Sequence, residues 1–199
     1  MMTVASPCPL PPLRPVLRRH LLQLQAAPIT LRPFQRADLP RWRQFDDRRQ
    51  RGRRNVAGID EEARFLACMH RSRLEQDNDQ LLLGVFDDAQ GMVLDQLHIR
   101  LHSLHSRCAE LFSSQHWHAH TAATLQVLCP FLFEDVGLHR LFTLLPPDCT
   151  SPFASALRTS GFRAEGVLRD HHLDCTGWHD RQLLALTAPT WRMHQVPAG

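Results

Sequence analysis

The sequence predicts an α/β domain of the α+β kind, and three stretches carry that reading. LLLGVFD (Leu81–Asp87), MVLDQLHIRLHSL (Met92–Leu104) and RCAELFSS (Arg107–Ser114) read as a three-stranded meander, its first turn at DDAQG. TAATLQVLCPFLFEDVG then runs apolar nearly all round, as a helix packed between a sheet and other elements must. Finally, FRAEGVLRDHHL and RQLLALT read as two closing strands joined by the turn DCTGWHD.

The remaining elements fall between these. ITLRPF (Ile29–Phe34) alternates as a strand does, with Ile29 and Leu31 on one face. Asp38 offers an N-cap and Pro40 a first turn for a helix carrying Leu39, Trp42 and Phe45. A basic loop, RGRRNVAG, leads to DEEARFLACMHRSRLEQ, whose opening acids suit a helix N-terminus and whose Phe65, Leu66 and Met69 are expected inside. In the long apolar helix, Leu125, Leu128, Leu132 and Val136 mark the main face, Pro130 predicts a kink and Gly137 a C-cap. HRLFTLL (His139–Leu145) is a strand, and SPFASALRTSGF a short helix with Pro152 in its first turn and Gly161 past its end. The predicted order is β-α-α-β-β-β-α-β-α-β-β.

Composition narrows the function. An apolar fraction of 43% and a charged fraction of 22% are those of a soluble globular protein. All 23 basic residues are arginine, tyrosine is absent, and the formal charge of +3 is too small to imply nucleic-acid binding by itself. Six scattered cysteines form no CxxC pair, which predicts reduced thiols in a cytoplasmic protein. No apolar run is long enough to span a bilayer. Residues 1–28, rich in proline and free of acids, read as a disordered leader with a short helix over Val16–Gln25, or as a transit-like segment. Residues 29–187 form the folded domain and 188–199 a tail.

Several strings in register resemble the GNAT superfamily of acyl-CoA-dependent N-acetyltransferases, closest to its ribosomal-protein N-terminal acetyltransferase branch. They are ITLRPFQRADLPRW, with Arg32, Pro33, Asp38 and Leu39; FEDVGLHRLF (Phe133–Phe142); and GFRAEGVLRDHHLDCTGWHDRQLLAL (Gly161–Leu186). The resemblance implies a mixed, mostly antiparallel sheet flanked by helices and split between its fourth and fifth predicted strands, Arg107–Ser114 and His139–Leu145. Acetyl-CoA, the acyl donor, would enter that split along Leu111, Phe112 and Ser113, with its pyrophosphate on the next helix N-terminus, where free N–H groups and the helix dipole favour an anion. That helix start reads Trp117, His118, Ala119, His120, Thr121, Ala122, with histidines where the branch usually has glycines. Thr150 falls on a further cofactor position, and Leu157 where many members carry tyrosine.

Three readings of HWHAH (His116–His120) stay open. Residues forced left-handed in place of glycine cost about 1 kcal/mol and crowd the phosphates. Imidazole N–H groups could instead donate to those phosphates. With His98, His102 and His105 upstream, the histidines could also hold a metal, although the resemblance calls for none. For catalysis, Glu110 matches a position where relatives carry a carboxylate base acting through water; a structural carboxylate paired with arginine is the alternative. Ser151 is the candidate acid for the leaving thiolate. The acceptor is expected to be an amine of a small molecule or of a protein, including an acidic peptide, because seven arginines lie between Arg41 and Arg54. Contact with nucleic acid would be indirect only. The oligomeric state, monomer or homodimer, is left open, and a catalytically inactive binding or regulatory module of the same fold is the rival reading.

Overall fold

The computed structural model describes residues 22–50, 61–73, 80–103, 105–113 and 120–195. Its strands are β1 (Leu24–Ala26), β2 (Ile29–Arg32), β3 (Gln80–Asp87), β4 (Met92–Ser103), β5 (Cys108–Ser113), β6 (Arg140–Leu145), β7 (Arg163–Asp174) and β8 (Gly177–Thr187). Its helices are α1 (Leu39–Gln50), α2 (Glu61–Arg73), α3 (Thr121–Pro130), α4 (Pro152–Thr159) and α5 (Ala188–Gln195). One eight-stranded sheet runs β1-β2-β3-β4-β5-β6-β8-β7. Every neighbouring pair is antiparallel except β5 with β6.

Alternation along β3 explains the layering. Leu81, Leu83 and Val85 join the larger core with α3 and α4, while Leu82 and Phe86 join Phe34, Trp42, Phe45, Phe65 and Cys68 under α1 and α2. A strand covered on both faces reads as a continuous apolar run, as LLLGVF does. Gly84 sits where the rings of Phe34 and Phe86 converge; a Cβ there would lie 2.8 and 2.7 Å from them.

Arg32 and Asp38 tie the first strand pair to α1. Both guanidinium nitrogens of Arg32 donate to Asp38, at 2.7 and 2.8 Å, and the Gln35 N–H donates to the same carboxylate. Asp38 therefore closes a 3-10 turn (Arg36–Asp38) rather than serving α1 as a simple N-cap. In α2, Phe65 and Cys68 face inward and Met69 is half-buried, whereas Leu66 is 37% exposed, against expectation. At ~100° per residue, the face centred on Phe65 and Cys68 turns Leu66 outward.

Pro130 ends α3 rather than bending it: a π-helical turn, Phe131–Asp135, continues the coil, with the Val136 N–H donating to the Phe131 carbonyl. Gly137 caps that turn at φ +82°, and the Leu138 N–H returns to the Leu132 carbonyl. Ser151 caps α4 by accepting from the Ala154 N–H, and Gly161, at φ +92°, follows the helix end.

Two segments differ from expectation. At the end of the helix expected over Val16–Gln25, Leu22 and Gln23 are not helical and β1 begins at Leu24, pairing with β2; residues 16–21 lie outside those described. The tail forms α5, anchored by Trp191, whose ring lies 5.5 Å from that of Phe133. The closing turn is also tighter than DCTGWHD suggested, because β7 and β8 pair out to Asp174 and Gly177.

Gly84→Ala should lower stability by about 1–3 kcal/mol, because both converging rings are buried and must move. Denaturant unfolding at constant m-value reads the change.

Candidate active site

The parallel pairing of β5 with β6 covers only Cys108, Ala109 and Glu110 against Arg140, Leu141 and Phe142. Past that point the strands part: pairing with β6 ends at Glu110, while β5 stays paired with β4 through Leu111, Phe112 and Ser113. Beyond Glu110, the β5 edge at Leu111 and Phe112 has no β6 strand partner among the described residues. A cavity of about 810 Å³ fills the gap. Its lining includes Glu110, Leu111, Phe112 and Ser113 from β5, Phe142 to Leu145 from β6, and Ser151 at the start of α4.

Glu110 is buried (3% exposed) at the point of parting. Arg100, its cross-strand partner on β4, donates to Oε2 at 3.1 Å, and the His102 ring nitrogen Nε2 meets the same oxygen at 2.8 Å. His102 reaches it through an irregularity in β4: pairing passes from Leu101–Ala109 to Ser103–Cys108, leaving His102 as the extra residue. Such a bulge re-aims a side chain. The ring also packs edge-on against Phe142, 5.2 Å away. With Nε2–H donating to the carboxylate, Nδ1 keeps its lone pair. Arg100 and His102 both line the cavity, with side chains 46% and 41% exposed.

Across the gap, the Ser151 hydroxyl accepts the cap bond from Ala154, 3.2 Å away, and lies 3.1 Å from Cys149 Sγ. The outer wall comes from the β7–β8 hairpin, through Leu168, His171, His172 and Arg181. Arginines and histidines therefore outnumber the single carboxylate in the lining.

Other expected residues lie elsewhere. His116, Trp117, His118 and Ala119 lie outside the described residues. His120 precedes α3 at φ −96° and ψ 14°, outside the left-handed region, so the strain expected of a histidine in place of glycine is absent there. Its ring is 3.9 Å from Asp87. Thr121 is buried, Ala122 and Thr150 are exposed, and none of these lines the cavity. His98 meets Gln80 at 2.9 Å, and among the described residues no group of three His, Cys, Asp or Glu could hold one metal ion. Of the arginine-rich segment, Arg43 pairs with Glu61, while residues 51–60 lie outside the described set.

No protein-family profile and no curated protein matches the chain. Solved structures do. Mycobacterium smegmatis RimJ in complex with CoA-disulfide is 24% identical, with 89% of this chain and 93% of that one aligned at a TM-score of 0.67. A ribosomal-protein alanine acetyltransferase from Vibrio fischeri, 15% identical, aligns over 85% and 98% at 0.69. A variant spermidine N-acetyltransferase from Vibrio cholerae, 18% identical, aligns over 83% and 97% at 0.62. The chain has the fold of the GNAT N-acetyltransferases.

Sequence reading passed over His102 as a partner of Glu110. The available signal was the alternation His98, Arg100, His102, which sets three basic side chains on one face of a strand. The bulge that completes the contact leaves no such trace.

The thiols should react in a fixed order with iodoacetamide under native conditions. Burial pushes Cys129 up to about 12, so it should stay unlabelled, whereas exposed Cys175 should react first and half-buried Cys149 between them. Mass spectrometry of peptides over time measures this.

Proposed function

We propose that the protein is an N-acyltransferase that moves the acetyl group of acetyl-CoA to an amine of a protein or small molecule. The observation that carries this reading is the buried Glu110, bonded to His102 and Arg100 where β5 and β6 part. The open edge of β5 suits the amides of an extended pantetheine arm, and Leu111, Phe112 and Ser113 are the residues that would lie along it. The likeness to RimJ in complex with CoA-disulfide supports the same donor.

The reaction asks little of the protein: an amine must lose a proton as its nitrogen attacks the acetyl carbon, and the departing sulfur must gain one. The Glu110–His102 pair is the base. His102 Nδ1 takes the proton, and Glu110 fixes the tautomer and balances the imidazolium that results. Arg100 holds the carboxylate in place by donating to the oxygen that His102 also meets. Ser151, whose cap bond uses an oxygen lone pair, keeps its O–H to donate to sulfur.

Arg100, Arg181, His171 and His172 around the cavity favour an acceptor bearing negative charge beside its amine, such as the N-terminus of an acidic peptide. The reduced thiols fit a cytoplasmic enzyme.

With acetyl-CoA and an acidic peptide, Glu110→Gln and His102→Gln should each lower kcat by roughly 10²-fold or more while leaving acetyl-CoA affinity within a few-fold. His102→Gln should also become steadily faster toward alkaline pH, as hydroxide replaces the lost base. Unchanged kcat in both variants would remove the pair from the chemistry.

Acetyl-CoA should also slow alkylation of Cys149, which lines the cavity, without affecting Cys175. No protection, together with no thermal shift on adding acetyl-CoA, would favour an inactive binding module instead.

A further inference from the structure

β6 keeps its pairing with β8 where it loses β5. Thr143 is the first β6 residue past the last β5–β6 pair, Glu110 with Phe142, and it stays opposite Leu184 on β8. Leu141, Thr143 and Leu145 alternate as the buried positions of the strand, so Thr143 shares the face that these leucines pack against α3 and α4. Phe142 turns the other way, toward His102. Thr143 therefore meets the split from the side on which α4 begins, opposite the Glu110–His102 pair.

Thr143 is 4% exposed and borders the cavity. Its hydroxyl has no hydrogen-bond partner among the described residues. The polar side chains near it in the lining do have partners. Glu110 bonds Arg100 and His102, Ser113 donates to Asp95 at 2.5 Å, and Ser151 lies 3.1 Å from Cys149 Sγ. A hydroxyl buried without a partner is unfavourable, and valine would fill the same space and suit a strand at least as well. Packing alone gives no reason for the hydroxyl.

We propose that the Thr143 hydroxyl binds the acyl carbonyl of the donor and stabilises the oxyanion that forms on it, an assignment that rests on the acyl-transfer reading above. An acyl group carried along β5 to the apex of the split ends beside the first β6 residue past the break. As the amine nitrogen bonds to the carbonyl carbon, the C=O π pair moves onto oxygen and the amine's proton passes to His102. That pair then re-forms the C=O as the C–S bond breaks, and the sulfur takes a proton from Ser151. Thr143 gives up no proton in either step. It donates a hydrogen bond to an atom that gains charge in the transition state, so it accelerates the chemical step more than it tightens binding. A donor on a strand already paired with β8 is in place before that charge develops.

The test compares the full chain with Thr143→Val and Thr143→Ser. Acetyl-CoA isotope-labelled at the carbonyl carbon is bound first without acceptor. Hydrogen bonding weakens the C=O bond, so difference infrared spectra should place its stretch lower in the parent and in Thr143→Ser than in Thr143→Val. With an acidic peptide added, Thr143→Val should slow single-turnover acetyl transfer by roughly 10²-fold and leave the acetyl-CoA Kd within a few-fold. Thr143→Ser, which keeps the hydroxyl, should stay within about tenfold of the parent. Circular dichroism and Tm establish that each variant is folded. An unchanged transfer rate in Thr143→Val overturns the inference. So does a carbonyl band that this substitution leaves in place, or a loss in Thr143→Ser as deep as in Thr143→Val. A parent that binds acetyl-CoA without acetylating any amine removes the acyl-transfer reading, and the infrared band alone then decides the Thr143 contact. A parent that binds no acetyl-CoA overturns both.

Discussion

Parallel pairing between β5 and β6 holds for three residues and then stops, and the chemistry open to the molecule depends on where it stops. Glu110 is the last residue of β5 that pairs with β6. It has a strand neighbour on each side, Arg100 on β4 and Phe142 on β6, and still borders the cavity. One residue later the β5 edge is open. Backbone groups able to bind an extended ligand and a carboxylate able to govern a proton therefore arise from one break in the sheet.

A buried carboxylate needs compensation, and the compensation chosen here faces the cavity. Arg100 and His102 are each close to half exposed, so their contact with Glu110 takes only one partner fully out of water. Fully burying both partners would carry a desolvation cost that Coulomb attraction often fails to repay. Keeping Arg100 at the wall offsets the Glu110 carboxylate without burying the guanidinium, and Arg181 adds a second positive charge to the same wall. A wall of that sign repels polyamines and attracts acidic chains, which is why the proposed acceptor is anionic although the whole chain carries only +3.

Much of the fold was legible because its signals are local. Gly137, Ser151, Pro152 and Gly161 mark helix ends through their own backbone and side-chain chemistry, and LLLGVF declares a doubly covered strand. What escaped depends on distant partners. β1 exists because β2 pairs with it, and α5 because Trp191 finds Phe133. Leu66 fell on the outer face because the helix phase is set by Phe65 and Cys68 against the Phe34 cluster. Of the candidate site, Glu110, Ser151 and the β5 residues meet at the cavity, while His120 and Thr121 lie at a helix start away from it. Family resemblance gave Glu110 its position; the bulge that brings His102 to it could be seen only in three dimensions.

The β7–β8 hairpin joins the sheet to the cavity wall. Its inner half, from Arg163 to Val167 against Gln182 to Ala185, belongs to the sheet, and its outer half extends past it. The outer half supplies histidines and Arg181 to the cavity wall, so the ribbon cannot be shortened without opening the site. Its exposed apolar side chains, Leu168 among them, are then a consequence of the cavity's construction, and the charges and irregular pairing of β7 blunt the edge that carries them.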